Sequence, residues 1–496
     1  MLTLLLGADW TENRNAIFEK IAKDVAEQKR GRILMVPELI SHDTERRLCA
    51  CAGDTASRFA EVLTFTRLAQ RVSDSGHFGA PECLDNGGRL VAMAAATRQL
   101  HSKLKAYGAV ETRPEFLIGL IDAVDEFKRC CISPEDLAAA AKKTEGSFAQ
   151  KLEELSLILE AYDSLCARGK RDPRDQMTWL LEQLEDSDFA ENHVFYIDGF
   201  PDFTRQHTAI LEHLIKEAPQ VTVSLTCDSL NSDSPSFEKA AATAAELFRL
   251  AQSAGVKAEI IHTQSSNRAV ASILPTLFQG KIEKTSSILK VYRCESVNDT
   301  CHSVAEQIDE LVQKGCLYRD ISVVCTDMAT YSNMLGMVLP RYRIPVYQSG
   351  TENILDKTVI STVLTAIDAV VGGFEQGDVL RYLKSSLSPL PITHCDMVEN
   401  YAIIWNITGS RWTVEWENHP EGLGVKWTDN DRALLHTLNE ARRIALTPLM
   451  HLDNALKSAD TLLQLVSGVY AFLDEIQLDK QLEQLAEEMA RSGVTY

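Results

Sequence analysis

Short apolar, β-branched or aromatic runs alternate along this chain with longer stretches in which apolar residues recur every three or four positions. That alternation predicts a mostly parallel sheet with crossover helices, an α/β fold. Six runs read as a first set of strands: Thr3–Gly7, Ile33–Pro37, Glu61–Phe65, His193–Ile197, Val221–Leu225 and Ala258–His262. Leu289–Arg293, Ile321–Thr326 and Ile344–Gln348 read as a second set. Between the third and fourth strands the pattern is helical. Phe116, Leu120, Val124 and Phe127 share one face, as do Leu152, Leu155, Leu159 and Tyr162, a stripe that ends near Gly169. Ser133-Pro134-Glu135-Asp136 is a helix start, with Ser as N-cap, Pro at the first position and acids facing the positive end of the helix dipole. From about Gly377 the pattern is again helical and contains Trp405, Trp412, Trp416 and Trp427.

The resulting segments are 1–99 and 191–286 for a first sheet, 100–190 for a helical insertion within it, 287–376 for part of a second sheet, and 377–496 for a second helical region. The run Ser492-Gly493-Val494-Thr495-Tyr496 arrives with the second sheet unfinished, which is expected of an N-terminal piece of a longer protein.

Composition narrows the function classes. A 496-residue chain with 45% hydrophobic and 24% charged residues is ordinary for a soluble multidomain protein. The opening Met1-Leu2-Thr3-Leu4-Leu5-Leu6 is too short for a signal peptide and lacks a basic start. The twelve cysteines are scattered, and the close pairs Cys49/Cys51 and Cys130/Cys131 have no second pair at zinc-site spacing. Free thiols in a reducing cytoplasm are therefore expected, and Cys301-His302 and His394-Cys395 read as packing rather than ligands. A net charge of −20 argues against coating nucleic acid by bulk electrostatics, while leaving room for a local DNA track.

Six short segments carry a more specific likeness. They are Ile33-Leu34-Met35-Val36-Pro37-Glu38 followed by Glu45; Val62-Leu63-Thr64-Phe65-Thr66-Arg67-Leu68-Ala69-Gln70-Arg71-Val72; Lys151-Leu152-Glu153-Glu154-Leu155 with Tyr162; Tyr196-Ile197-Asp198-Gly199-Phe200 with Phe203 and Thr204; Tyr318-Arg319-Asp320-Ile321-Ser322-Val323-Val324 with Tyr331 and Ile344-Pro345; and Glu399-Asn400-Tyr401 with Trp412. In this order they resemble the N-terminal half of AddB-type (also called RexB) subunits of the ATP-dependent helicase–nuclease. The resemblance implies two helicase-like (RecA-like) parallel-sheet domains with helical insertions, the second incomplete. It also implies an active partner subunit of the AddA/RexA type, a single-stranded or duplex-end DNA substrate, no membrane, and a role in break processing for recombinational repair. The iron–sulfur cluster and Mg²⁺ of the family are expected only in its C-terminal half, so none of the present cysteines is expected to hold a cluster.

A working motor of this kind needs a glycine-rich phosphate loop carrying Lys and Ser/Thr, a pair of acids after a later strand, and a cation from the second domain. Here the loop reads Gly7-Ala8-Asp9-Trp10-Thr11-Glu12-Asn13-Arg14: Asp9 and Glu12 repel phosphate, Thr11 lacks its Gly-Lys, and only Arg14 offers a cation. Asp198 is followed by Gly199 instead of a second acid, and Cys325-Thr326-Asp327 stands where an Arg is common. The reading is a motor without an intact active site. What remains for DNA is the box after the third strand, where a doubly wound sheet opens its crevice: Phe65 for stacking or core, Arg67 for phosphate, and hydroxyls from Thr64, Thr66 and Ser41. Gln70 stands where the family commonly has an aromatic residue and Leu39 where it has a polar one, departures that weaken stacking and base reading. The tryptophans suit first a partner interface and second DNA. The alternatives are a pure assembly scaffold and an unusual NTPase using Arg14.

Overall fold

The computed structural model describes residues 1–76, 82–108, 113–265, 289–348, 354–385 and 387–492. Contacts divide the chain into two units, Met1–Tyr292 and Arg293–Tyr496.

All six expected strands of the first set are present, as β1 (Leu2–Leu6), β2 (Arg32–Met35), β3 (Ala60–Leu63), β4 (Val194–Ile197), β5 (Val221–Leu225) and β6 (Ala258–His262). They form one all-parallel sheet in the order β3-β2-β4-β5-β1-β6, with Leu2 opposite Val221 and Arg32 opposite both Ala60 and Val194. The period-two pleat sends alternate residues to opposite faces. Leu4, Leu6, Ile33, Met35, Val223 and Leu225 join one buried cluster; Leu5, Leu34, Val36 and Tyr196 join another. Both faces are covered by helices, which is why the strands are apolar on both sides. Helices α1 (Trp10–Ala26) and α2 (Ser41–Ala52) supply Ile17, Ile21 and Leu48 to one face. On the other lie α3 (Phe65–Gly76), α8 (Gln176–Glu185), α9 (Arg205–Glu217) and α10 (Glu238–Ser253), with Leu68, Leu180, Ile210 and Leu247. The winding follows from right-handed crossovers, outward from β1 to β3 and then back from β4 to β6.

Between α3 and α8 come α4 (Asn86–Gln99), α5 (Pro114–Arg129), α6 (Pro134–Ala141) and α7 (Gly146–Ala167), with one isolated bridge, Cys83 to Arg171. Ser133 caps α6 in a reciprocal capping box with Asp136. Leu120, Val124, Leu159 and Tyr162 meet in a separate core. A buried ionic hub ties these helices together. Arg89, at the start of α4, reaches Asp125 Oδ1 at 2.5 Å and Asp172 Oδ2 at 3.1 Å, and Tyr162 donates to Asp172 at 2.5 Å.

The second set of strands requires correction. Ile321–Thr326 and Ile344–Gln348 join no ladder among the described residues, and neither does Leu289–Arg293. A strand is stable only when its backbone groups are paired. Lacking partners, these runs leave apolar side chains outside, with Val324 and Tyr347 each 91% exposed. Over its described residues the second unit is helical: α11 (Val297–Gln313), α12 (Met328–Arg341), α13 (Thr358–Val371), α14 (Gln376–Leu383), α15 (Ile392–Trp405), α16 (Asp429–Ser458), α17 (Leu462–Glu475) and α18 (Leu478–Arg491). Residues Gly493–Tyr496, at the expected break in the second sheet, lie outside the described residues.

The tryptophans also need correcting. Trp412 is fully buried and Trp416 nearly so, the latter stacked on Tyr401 with centroids 4.5 Å apart. Trp405 is half-buried and donates its indole N–H to the His419 carbonyl, leaving Trp427 the most exposed of the four. Trp412 and Trp416 therefore fill the core of this unit and cannot face a partner or DNA; large aromatic burial outweighs the surface role that their spacing also allowed.

Candidate nucleotide position and single-strand surface

The loop after β1 is filled by the chain itself. Asp9 is the N-cap of α1, accepting from the Thr11 backbone N–H at 2.9 Å, and its other oxygen accepts from Ser265 at 2.8 Å. Asn13 donates to the carbonyls of Gly7 and Leu225, and Thr263 donates to Asn13 Oδ1 at 2.5 Å. A Cβ built at Gly7 would stand 1.9 Å from Thr263 Oγ1 and 2.7 Å from Asn13 Oδ1. The glycine has thus kept its smallness, but protein atoms occupy the space beside it.

Arg14 turns inward from the first turns of α1. Its Nε donates to Asp198 Oδ2 at 2.5 Å, and the two side chains are only 7% and 4% exposed. Ser224 donates to the other Asp198 oxygen, and the exposed Trp10 ring lies over the Arg14 guanidinium, 4.9 Å from its carbon. The cation and the carboxylate that a nucleotide–metal complex would have to recruit satisfy one another. Gly199 follows with φ +84°, and a Cβ there would meet Ile40 Cδ1 at 2.8 Å. The missing second acid is therefore excluded by backbone conformation and by space. Cys325-Thr326-Asp327 lies in the second unit, where Asp327 caps α12 by accepting from Thr330 N.

The box after β3 divides into an inner and an outer part. Phe65 is 6% exposed; it stacks on His207 at 4.1 Å and meets Phe200 edge-on at 5.6 Å. Its ring belongs to the core in this structure. Thr64 is buried as well, its hydroxyl accepting from Arg67 N at 3.2 Å to start α3. Ser41 is nearly buried, with its hydroxyl committed to the Glu38 carbonyl at 3.0 Å. Thr66 and Arg67 are exposed, Arg67 has no ion-pair partner among the described residues, and Leu39 is 95% exposed. Burial pushes the pKa of His207 down to about 4, so the ring against Phe65 is neutral at ordinary pH.

Sequence reasoning overlooked Asn13, Ser224, Thr263 and His207. Two of them carried a signal. Asn13 and Arg14 open the buried stripe of α1 that continues through Ile17 and Ile21, and His207 opens the stripe Ile210, Leu211 and Leu214 of α9. Polar residues on an apolar stripe are obliged to find partners. Of the cysteine–histidine pairs, Cys301 is buried beside His302, which contacts the Tyr342 hydroxyl, and the Cys395 thiol donates to the Leu383 carbonyl.

Fold and site together define a doubly wound parallel α/β domain whose phosphate-loop position is filled from within. The family model described as "ADDB, N-terminal" matches residues 4–276, more than half of the chain, and the chain belongs to that family. Among its relatives, an ATP-dependent helicase/deoxyribonuclease subunit of Anoxybacillus flavithermus, of the AddB type, is 27% identical over 93% of this chain and 42% of its own length. The protein of the same name from Desulforudis audaxviator is 27% identical over 99% and 45%, and that of Clostridium botulinum (strain Langeland) is 24% identical over 97% and 43%. The chain thus spans less than half the length of the curated relatives it matches. No helix among the described residues is long and apolar enough to cross a membrane.

Proposed function

We propose that this chain is the non-catalytic, helicase-like part of an AddB-type helicase–nuclease subunit, and that it handles single-stranded DNA during double-strand-break end processing for recombinational repair. The observation that carries the non-catalytic half is the closed Arg14–Asp198 pair beside a loop filled by Asn13 and Thr263. An ATP–Mg²⁺ complex would have to displace these contacts before meeting any cation or metal-binding acid. The DNA-handling half rests on Arg67, an unpaired cation at the C-terminal end of a parallel strand, where doubly wound sheets bind their ligands. The working arrangement has an active helicase partner of the AddA/RexA type in the cytoplasm, with Mg²⁺ and an iron–sulfur cluster confined to the C-terminal half of the subunit.

Anisotropy titration of labelled single strands tests the reading. Arg67→Ala is expected to weaken binding severalfold and to flatten its salt dependence by about one ion's worth. Burial of Phe65 specifically favours the competing reading of an assembly scaffold. Unchanged affinity of Arg67→Ala for a range of single strands would put the scaffold in place of DNA handling.

A further inference from the structure

The exposed face of α3 extends beyond the box. Thr66, Arg67 and Gln70 are all exposed, and their spacing of three and four residues places them on one side of the helix. Helix α3 packs along α8. Where Gln70 meets α8, a cavity of about 100 Å³ opens, walled by Trp179, Gln176 and Arg171 and floored by Asp172 and Asp175. Trp179 is half-buried, one side of it against the main core.

Three polar side chains at this cavity have spare capacity. Gln70, Gln176 and Arg171 make no side-chain hydrogen bond or ion pair among the described residues. The backbone of Arg171 is fixed, its N–H donating to the Glu82 carbonyl at 2.9 Å and its carbonyl accepting from Leu84 N at 2.8 Å. The acidic floor is already neutralised. Asp172 accepts from Arg89, Tyr162 and the Arg174 backbone, and Asp175 pairs with Lys128 at 2.6 Å. In a protein of net charge −20, this is a cavity where carboxylates do not repel an anionic strand.

We propose that the cavity between α3 and α8 takes one nucleobase of the bound single strand, Trp179 supplying the aromatic wall that Gln70 does not. The amides of Gln70 and Gln176 both donate and accept, as a base edge requires, and Arg171 meets the adjoining phosphate. The inference rests on the single-strand reading above and gives that strand a direction, from Arg67 along α3 toward α8.

The test walks an abasic position through a labelled single strand and measures its affinity for the full chain. One register is expected to bind about tenfold more weakly than the rest, since each stacked base contributes about one to two orders of magnitude. Trp179→Ala should bind the intact strand that much more weakly and lose the register dependence; Trp179→Phe should keep it. Gln70→Ala with Arg171→Ala, both exposed positions, should blunt it at unchanged melting temperature, which covers the case of an unstable Trp179→Ala. Arg67→Ala should lower affinity overall yet retain the register. If the parent chain binds no single strand, the reading of the whole surface falls and the cavity with it. If it binds through Arg67 with no register dependence, or Trp179→Ala binds as the folded parent does, the cavity is only a packing gap and the base-binding proposal is overturned.

Discussion

Arg14 and Asp198, 184 positions apart in sequence, are joined at 2.5 Å inside the first unit, each shielding the other from solvent. Removing one partner strands a buried charge, so Arg14→Ala and Asp198→Ala are each expected to cost about 3–5 kcal/mol. Replacing both at once by apolar residues of similar volume should cost much less. Urea unfolding of the two single variants and the double variant gives the coupling. Single variants within a few tenths of a kcal/mol of the parent would show that the pair is not structural.

The same pair sets an expectation for nucleotide. ATP with Mg²⁺ should leave the melting temperature of the chain unchanged, because no cation or acid is free at the filled loop and Asp9 adds a carboxylate at its rim. Micromolar binding by calorimetry that Arg14→Ala abolishes would contradict this and revive the NTPase reading.

Gly199 tests whether the absent acid is a matter of chemistry or of shape. With φ +84° and Ile40 Cδ1 2.8 Å from a built Cβ, Gly199→Ala should destabilise by about 1–3 kcal/mol. Gly199→Asp should be no better, and should restore no metal-dependent stabilisation. Thermal melts with and without Mg²⁺ decide.

The stacked Phe65–His207 pair predicts a pH effect. Burial lowers the folded-state pKa of His207 to about 4, below the ordinary value near 6.5, so the unfolded chain takes up the proton first. This contribution is complete above pH 6.5 and is lost as pH falls from about 6.5 to about 4. Between pH 7 and pH 5 the parent should lose on the order of 1–2 kcal/mol more than His207→Phe, read from urea midpoints at the two pH values. Phe65→Ala should cost about 3–5 kcal/mol at either pH, with DNA affinity following only the loss of folded protein.

How much could be read from residue order differs between the two units. The six strands of the first sheet were legible because both faces are covered, which demands apolar runs whatever the partner. Phe65 marks the limit: an apolar residue after β3 reads equally well as a last strand position or a first helical one. The deciding feature was Thr64, whose hydroxyl caps the helix. The runs at Ile321 and Ile344 have strand composition, but composition says nothing about whether a neighbouring strand exists to pair with. For Trp412 and Trp416, helical spacing could not choose between core and interface; Tyr401 stacked beneath Trp416 decides it. The filled loop was half visible. The loss of its glycines and lysine was plain, whereas the pairing of Arg14 with Asp198 depends on β1 and β4 lying on either side of β5.

A rotary pump and its housing share one casting, but only one of them has strokes. Thr263 and Asn13 sit permanently in the place where a motor admits fuel, so on the proposed reading this sheet has no empty, loaded and spent states to pass through. Its geometry stays constant while the partner's changes. That constancy makes it the stationary side of the machine, a fixed edge against which an advancing strand can be registered one base at a time.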